Sequence, residues 1–243
     1  MRTIITILII IAAIVALFFF GKSRVPDMLA NNLSKKLGVP VSIGSMNFDS
    51  SEVEINKFTI GNPKEYSLPK AFSAEEIELN APINTYFSDD ILIDEIEVNN
   101  IYLGLEFDTI TSGDGNWTTI FKHFQENSKV DEKGGKKVTI KRLVFNNIQT
   151  ELLFRSEGGN PKRLPEIKQI VLKNVSTEGG SLTDQLMGTV LAQMVKQVFI
   201  EQNLNNMIKG FLLDTPGNAV DKFLEPFKGF FNTAPKEHAD NRV

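Results

Sequence analysis

The chain has 243 residues, 26 basic and 30 acidic side chains for a net charge of −4, two histidines and no cysteine. This excludes a disulfide-stapled module, a thiolate metal centre, an iron–sulfur protein and a cysteine nucleophile, and it leaves no basic footprint for nucleic acid. Apolar residues at 42% and charged residues at 23% describe a folded protein, and 18 Phe against 3 Tyr favours surfaces that stay dry or meet lipid.

The first element is apolar. Residues 4–20 carry no charge, with Thr6 as the polar interruption. As a helix they cover about 25 Å at about 1.5 Å per residue, against a bilayer core of about 30 Å. Lys22 and Arg24 can reach the headgroups. The length of the run, and Phe18-Phe19-Phe20 where cleavage needs small residues, favour an uncleaved anchor. The competing reading is a signal peptide with Arg2 as its basic start and a cleavage site at Ile14-Val15-Ala16. Flanking Lys and Arg do not decide the orientation. Residues 28–37 read as a short helix, with Gly38 as its stop signal.

A repeated pattern then fills the middle of the chain: apolar, two others, apolar, one other, apolar. It reads Ile43/Met46/Phe48, Ile55/Phe58/Ile60, Ala74/Ile77/Leu79, Ile93/Ile96/Val98, Ile140/Leu143/Phe145 and Ile167/Ile170/Leu172. Alternation of period two marks strands with one wet and one dry face. The two-residue gap breaks that period once, as a bulge or bend does. In four copies Asn follows two residues after the last apolar position (Asn62, Asn100, Asn147 and Asn174). Asn tolerates the left-handed conformation and can re-aim a chain. The spacing therefore predicts an antiparallel meander with a bend in each strand, closing into a groove or half-barrel. Gly61-Asn62-Pro63, Ala81-Pro82 and residues 158–161 punctuate it, and residues 128–137 form a polar, glycine-containing mobile loop dividing the sheet.

From Ser181 the alternation stops. Ser181 and Asp184 fit a capping box, and a broad apolar stripe from Leu182 to Leu212 predicts a long amphipathic helix running to about Lys209. A second amphipathic piece carries Phe223, Leu224, Phe227, Phe230 and Phe231. Two placements are open: packing on the dry face of the sheet, or lying on a membrane surface. The expected organisation is an anchor over 1–25, a β-rich groove domain over 26–180, an amphipathic helical region over 181–232 and a disordered tail over 233–243. The fold class is α+β, mainly β.

No constellation for catalysis stands out. His238 lies in the polar tail and His123 reads as a surface or packing residue. No metal-ligand spacing or phosphate cradle occurs, so no cofactor is expected. Glu75-Glu76 and Asp89-Asp90 are sequential pairs, expected to point to opposite faces of a strand or into solvent. Asn116-Trp-Thr118 and Asn174-Val-Ser176 match the glycosylation pattern, which is short and occurs by chance.

In order, VPVSIGSMNF, VEINKFTIGNPKEYS, AFSAEEIELNAPI, ILIDEIEVNNIYLGLEFD and GDGNWTTIF follow the apolar N-terminus. This succession resembles the N-terminal region of the AsmA-like proteins of Gram-negative bacteria, over roughly residues 1–125. The resemblance implies an inner-membrane anchor, a periplasmic β-rich body and a role in envelope lipid homeostasis. The expected function is a non-enzymatic accessory for lipid binding or transfer, with a phospholipid or other envelope lipid as cargo. So short a groove could hold one lipid, assist a larger bridge or stack with copies of itself; the rival reading is a tethered scaffold for a protein partner of the envelope. A closed sandwich of the late-embryogenesis-abundant type is a third reading. The candidate lipid contacts are the dry-face residues Phe58, Ile60, Ile77, Leu79, Ile96, Val98, Leu143, Phe145, Ile170 and Leu172.

Overall fold

A computed structural model of the chain describes residues 24–49, 51–82, 85, 88, 90–109, 114–127, 137–158, 160–177 and 182–204. The expected membrane segment, most of the loop over 128–137, and the Phe-rich stretch and tail beyond residue 204 lie outside the described residues. Among the described residues no helix is long and apolar enough to cross a membrane.

Helix α1 (Val25–Leu37) opens the fold, three residues earlier than the spacing predicts because Pro26 is pre-set for a first helical turn. Its buried stripe is Pro26, Ala30, Leu33 and Leu37. Gly38 ends it at φ 70°, and its N–H donates to Ser34 O at 3.0 Å. Strands β1 (Val41–Ser42), β2 (Ser45–Phe48), β3 (Glu52–Ile60), β4 (Phe72–Asn80) and β5 (Asp90–Phe107) follow. Helix α2 (Asn116–Asn127) then leads to β6 (Lys137–Phe154), β7 (Lys162–Arg163), β8 (Ile167–Thr177) and helix α3 (Leu182–Glu201). The eight strands form one curled sheet, a half-barrel, in the order β1-β3-β4-β5-β6-β7, with β2 on β3 and β8 on β6.

The repeat shapes the sheet as its spacing predicts. At each gap two successive side chains face outward, so the ladder skips a residue: Lys57, Glu75, Asp94, Lys141 and Lys168 have no cross-strand partner in the register. Asn100, Asn147 and Asn174 sit at φ 53°. Asn62 does not take this conformation, and its side chain serves a different purpose described below. The kinks align across strands. Asn147 Nδ2 donates to Asn100 Oδ1 at 3.1 Å, and Asn100 Nδ2 to Glu75 Oε2 at 3.1 Å. In the second line, Lys141 Nζ reaches Asp94 Oδ1 at 2.6 Å. The bulge also corrects one expectation. Glu75 and Glu76 share the wet face, reached from β5 by Asn100 and Asn99, because the kink suspends the alternation.

A second correction concerns the antiparallel meander. β5 and β6 are parallel over their whole length, from Asp90↔Lys137 to Phe107↔Phe154. A parallel partner needs a crossover, and α2 supplies it, carrying the chain back from the end of β5 to the start of β6. The sheet is therefore mixed. Helix α3 ends at Glu201, with Asn203 at φ 52° and Leu204 helical again, and residues 205–209 of the predicted helix lie outside the described residues.

Lys57 takes φ 54° without the local hydrogen bonding that lets Asn adopt this region. Lys57→Asn is expected to stabilise the protein by about 0.5–1 kcal/mol, raising Tm by a few degrees. A thermal melt showing an unchanged or lower Tm contradicts this account of the kink.

Candidate functional site

The dry face of the half-barrel is built from cross-strand rows. One runs Phe48–Val53–Leu79–Ile96–Leu143–Leu172, and the next Met46–Ile55–Ile77–Val98–Phe145–Ile170. Helix α3 fills the trough over β6 and β8. Leu191, Ala192, Met194, Val195, Val198 and Phe199 are all buried, as expected of a helix that is apolar nearly all round. Its far end is pinned where the Phe199 ring meets Phe107 edge-on at 6.0 Å and Gln202 donates to Pro165 O at 2.7 Å. Helices α1 and α2 pack on each other, α1 against β1 and β2 and α2 against β5, and join the same core as Phe58, Ile60 and Phe72.

This placement divides the ten candidate contacts. Phe58, Ile60, Ile96, Val98, Leu143, Phe145 and Ile170 are closed into the core. Ile77, Leu79 and Leu172 are half-buried and stay at its margin. Val53 and Ile55 join Ile77 and Leu79 as half-buried neighbours in the register, and Phe48 is 38% exposed. Among the described residues they make a half-buried apolar strip on β2–β4, while α3 packs on β6 and β8. Beside it, a cleft of about 360 Å³ lies between the first turn of α1 and β2, lined by Pro26, Asp27 and residues 43–47. The sequence signal for Val53 was its place two residues before Ile55; for Phe48, the repeat itself.

A polar knot frames the upper end of the strip's strands. The Glu106 carboxylate is fully buried and accepts from Ser67 N, Ser67 Oγ and Leu68 N at 2.8–2.9 Å. The Arg155 guanidinium lies 4.0 Å away, over the Tyr66 ring. Asn116 is buried and uses its whole amide. Its Nδ2 donates to Asn62 Oδ1 at 2.8 Å and to Gly104 O at 2.9 Å, and its Oδ1 accepts from Glu106 N and Trp117 N. Trp117 Nε1 also donates to Gly104 O, at 2.8 Å. A Cβ on Gly104 would lie 2.5 Å from Lys70 O, so only glycine lets the chains approach. Thus Gly61-Asn62-Pro63 and Asp114-Gly115-Asn116-Trp117, far apart in sequence, lock β3, β5 and α2 together. The Asn116 glycosylation pattern is sealed inside this knot. His123 is an exposed surface residue that lies against Gly38, where a Cβ would come 2.8 Å from its Cγ.

The wet face of β3–β5 is acidic. Glu54, Glu78 and Glu97 stand in one row, and Glu52 and Glu76 flank them. Asn47 and Asn56 donate to Glu54 at 2.9 and 2.7 Å and hold its carboxyl below the usual range. Glu78 has no such donors. Partial burial, then repulsion from Glu76, Glu97, Glu52 and Glu54, pushes its carboxyl up. Among the described residues no three His, Asp or Glu side chains come together in a way that could hold a metal ion.

No protein-family model, no curated protein and no solved structure matches this chain.

Two predictions follow from the knot and the acidic face. Asn116→Ala strands the buried Glu106 N–H and the Asn62 carbonyl, and is expected to cost about 2–4 kcal/mol; a loss under about 1 kcal/mol in chemical denaturation contradicts the knot. Glu78 ionises at higher pH in the folded than in the unfolded chain, so its unfavourable contribution appears as pH rises through the folded value. Glu78→Gln should raise Tm at neutral pH, make no difference below about pH 4, and matter less at about 1 M salt. A Tm gain that persists at low pH refutes it.

Proposed function

We propose that the chain is a membrane-anchored periplasmic accessory for lipid binding or transfer, acting without catalysis in envelope lipid homeostasis. The observation that carries this reading is the half-buried apolar strip of Phe48, Val53, Ile55, Ile77 and Leu79 beside the α1–β2 cleft. It lies next to the helix that leads directly from the apolar N-terminus. An acyl chain laid along the strip gains about 0.8 kcal/mol per buried methylene, so half a chain is enough for useful affinity. The resemblance of residues 1–125 to AsmA-like N-terminal regions supports the same compartment and cargo. The cargo site is thus smaller than the ten residues of the repeat suggest, because α3 occupies most of the trough.

A second reading, a tethered scaffold for an envelope protein, is favoured by the same closure: seven candidate contacts are sealed by the chain's own core. Lipid extraction and mass spectrometry of the purified full chain separate the two. Stoichiometric phospholipid supports cargo; a lipid-free protein supports the scaffold. Leu79→Asp puts a charge in the strip and removes a side chain worth ~1.5–3 kcal/mol of contact. It should lower the phospholipid-to-protein ratio about tenfold while leaving the far-ultraviolet circular dichroism intact. An unchanged ratio removes the strip from the lipid site.

A further inference from the structure

The half-barrel ends in two open edges, and they are complementary. On one side β1 and β2 pair only with β3; on the other, β8 pairs only with β6. Among the described residues no strand pairs with the outer side of β2 or β8, whereas β1 is capped by α1, Val41 N donating to Ser34 Oγ at 2.8 Å. Each cross-strand row that starts at β2 ends at β8, on the same face. The dry row that begins at exposed Phe48 finishes at half-buried Leu172. The neighbouring wet row begins at the turn where Asp49 N donates to Glu52 O at 2.9 Å, and runs Glu52–Asn80–Glu95–Arg142–Lys173. It is therefore acidic at the β2 end and basic at the β8 end. Within the row Arg142 pairs with Glu95, so the exposed Lys173 is the cation left at the margin. On the far side of the dry row, the next wet row ends in two apolar residues, buried Val144 and Val171, which is 39% exposed.

We infer that the partner of the β8 edge is the β2 edge of a second copy of this chain, added head to tail. The rows then continue across the junction. Leu172 meets Phe48 of the next copy, Ile170 meets Met46, and Lys173 meets Asp49. Residues 45–48 and 169–172 climb the same rows in the same direction, so the added pairing is parallel. Joining two β8 edges instead would bring Lys168 and Lys173 of both copies together, and like charges across strands oppose pairing. Lysines on an open edge commonly discourage indiscriminate pairing; here they select the acidic edge. The junction also covers Phe48 and Leu172, and lengthens the dry face beyond what one chain offers. This inference rests on the sheet edges alone, and it stands or falls independently of what fills the strip.

The chain has no cysteine, so introduced thiols report one contact. Val171→Cys and Asn47→Cys are combined in the full chain in its native membrane, and a short bis-maleimide is added. The double variant is expected to give covalent dimers or longer ladders. Each single variant alone should stay monomeric, and a mixture of the two single variants should give dimers and nothing larger. Lys173→Glu or Asp49→Lys alone should lower the oligomer fraction of detergent-solubilised protein about fivefold, and the two together in one chain should restore it. Cross-linking of Val171→Cys alone, as strong as in the double variant, overturns the head-to-tail geometry. Absence of cross-links in a folded double variant, or failure of the charge swap to restore assembly, overturns self-association and leaves the edge to another segment or protein.

Discussion

The half-barrel depends on one constraint: at fixed places along each strand, two consecutive side chains must point to water. A flat ribbon alternates without interruption. Here the interruption recurs at Lys57, Glu75, Asn100 and Asn147, in line across neighbouring strands, and again at Asp94, Lys141 and Asn174. Because the breaks coincide, the sheet folds along them as a page folds along a crease. Three of the positions are Asn, whose short amide tolerates φ near 53° and reaches the next amide in the line. Without that alignment the dry rows would not curve around a helix, and α3 would have no trough to occupy.

This crease was legible in the chain, because it is written as a break in a period: apolar, two polar, apolar. Helix α1 and the start of α3 were legible from local signals, Gly38 as a stop and the Ser181–Asp184 capping box. Long-range decisions were not. Nothing local distinguishes a strand that pairs with its predecessor in parallel from one that turns back, so the β5–β6 arrangement had to be seen. How much of the trough the helix closes was hidden likewise. The apolar spacing of Leu191 to Phe199 states that the helix is buried, but not over which rows; hence seven of the ten candidate contacts are core and three are marginal. The knot left a faint trace. Glu106 is a lone carboxylate in the stretch Tyr-Leu-Gly-Leu-Glu-Phe, with no cation nearby in sequence. Asn116 looked like a glycosylation acceptor and is instead a buried bracket between β3, β5 and α2.

Charge is distributed with similar economy. The acidic wet face of β3–β5 is balanced towards β6 and β8 by Lys141, Arg142, Lys168 and Lys173, and Asp94–Lys141 and Glu95–Arg142 bridge the two halves along the parallel seam. At the surface such pairs add little stability. Register is held instead by the pleat, because a one-residue slip would turn the dry-face side chains of β6 to the wet face.

The parallel seam has a kinetic consequence. Every pair in it joins residues 47 apart, as in Asp90↔Lys137, whereas β3 and β4 are joined through the short stretch 61–71. Loop-closure entropy must be overcome before such distant contacts return anything. The hairpins of β2–β5 can therefore assemble while the chain is still being made, with the long flank of β5 left bare until α2 has wound and β6 has emerged. During that interval an 18-residue ribbon stands open. The knot that ties α2 to Gly104 and Asn62 is then the step that shortens the wait, since it delivers the next strand to the bare flank of β5.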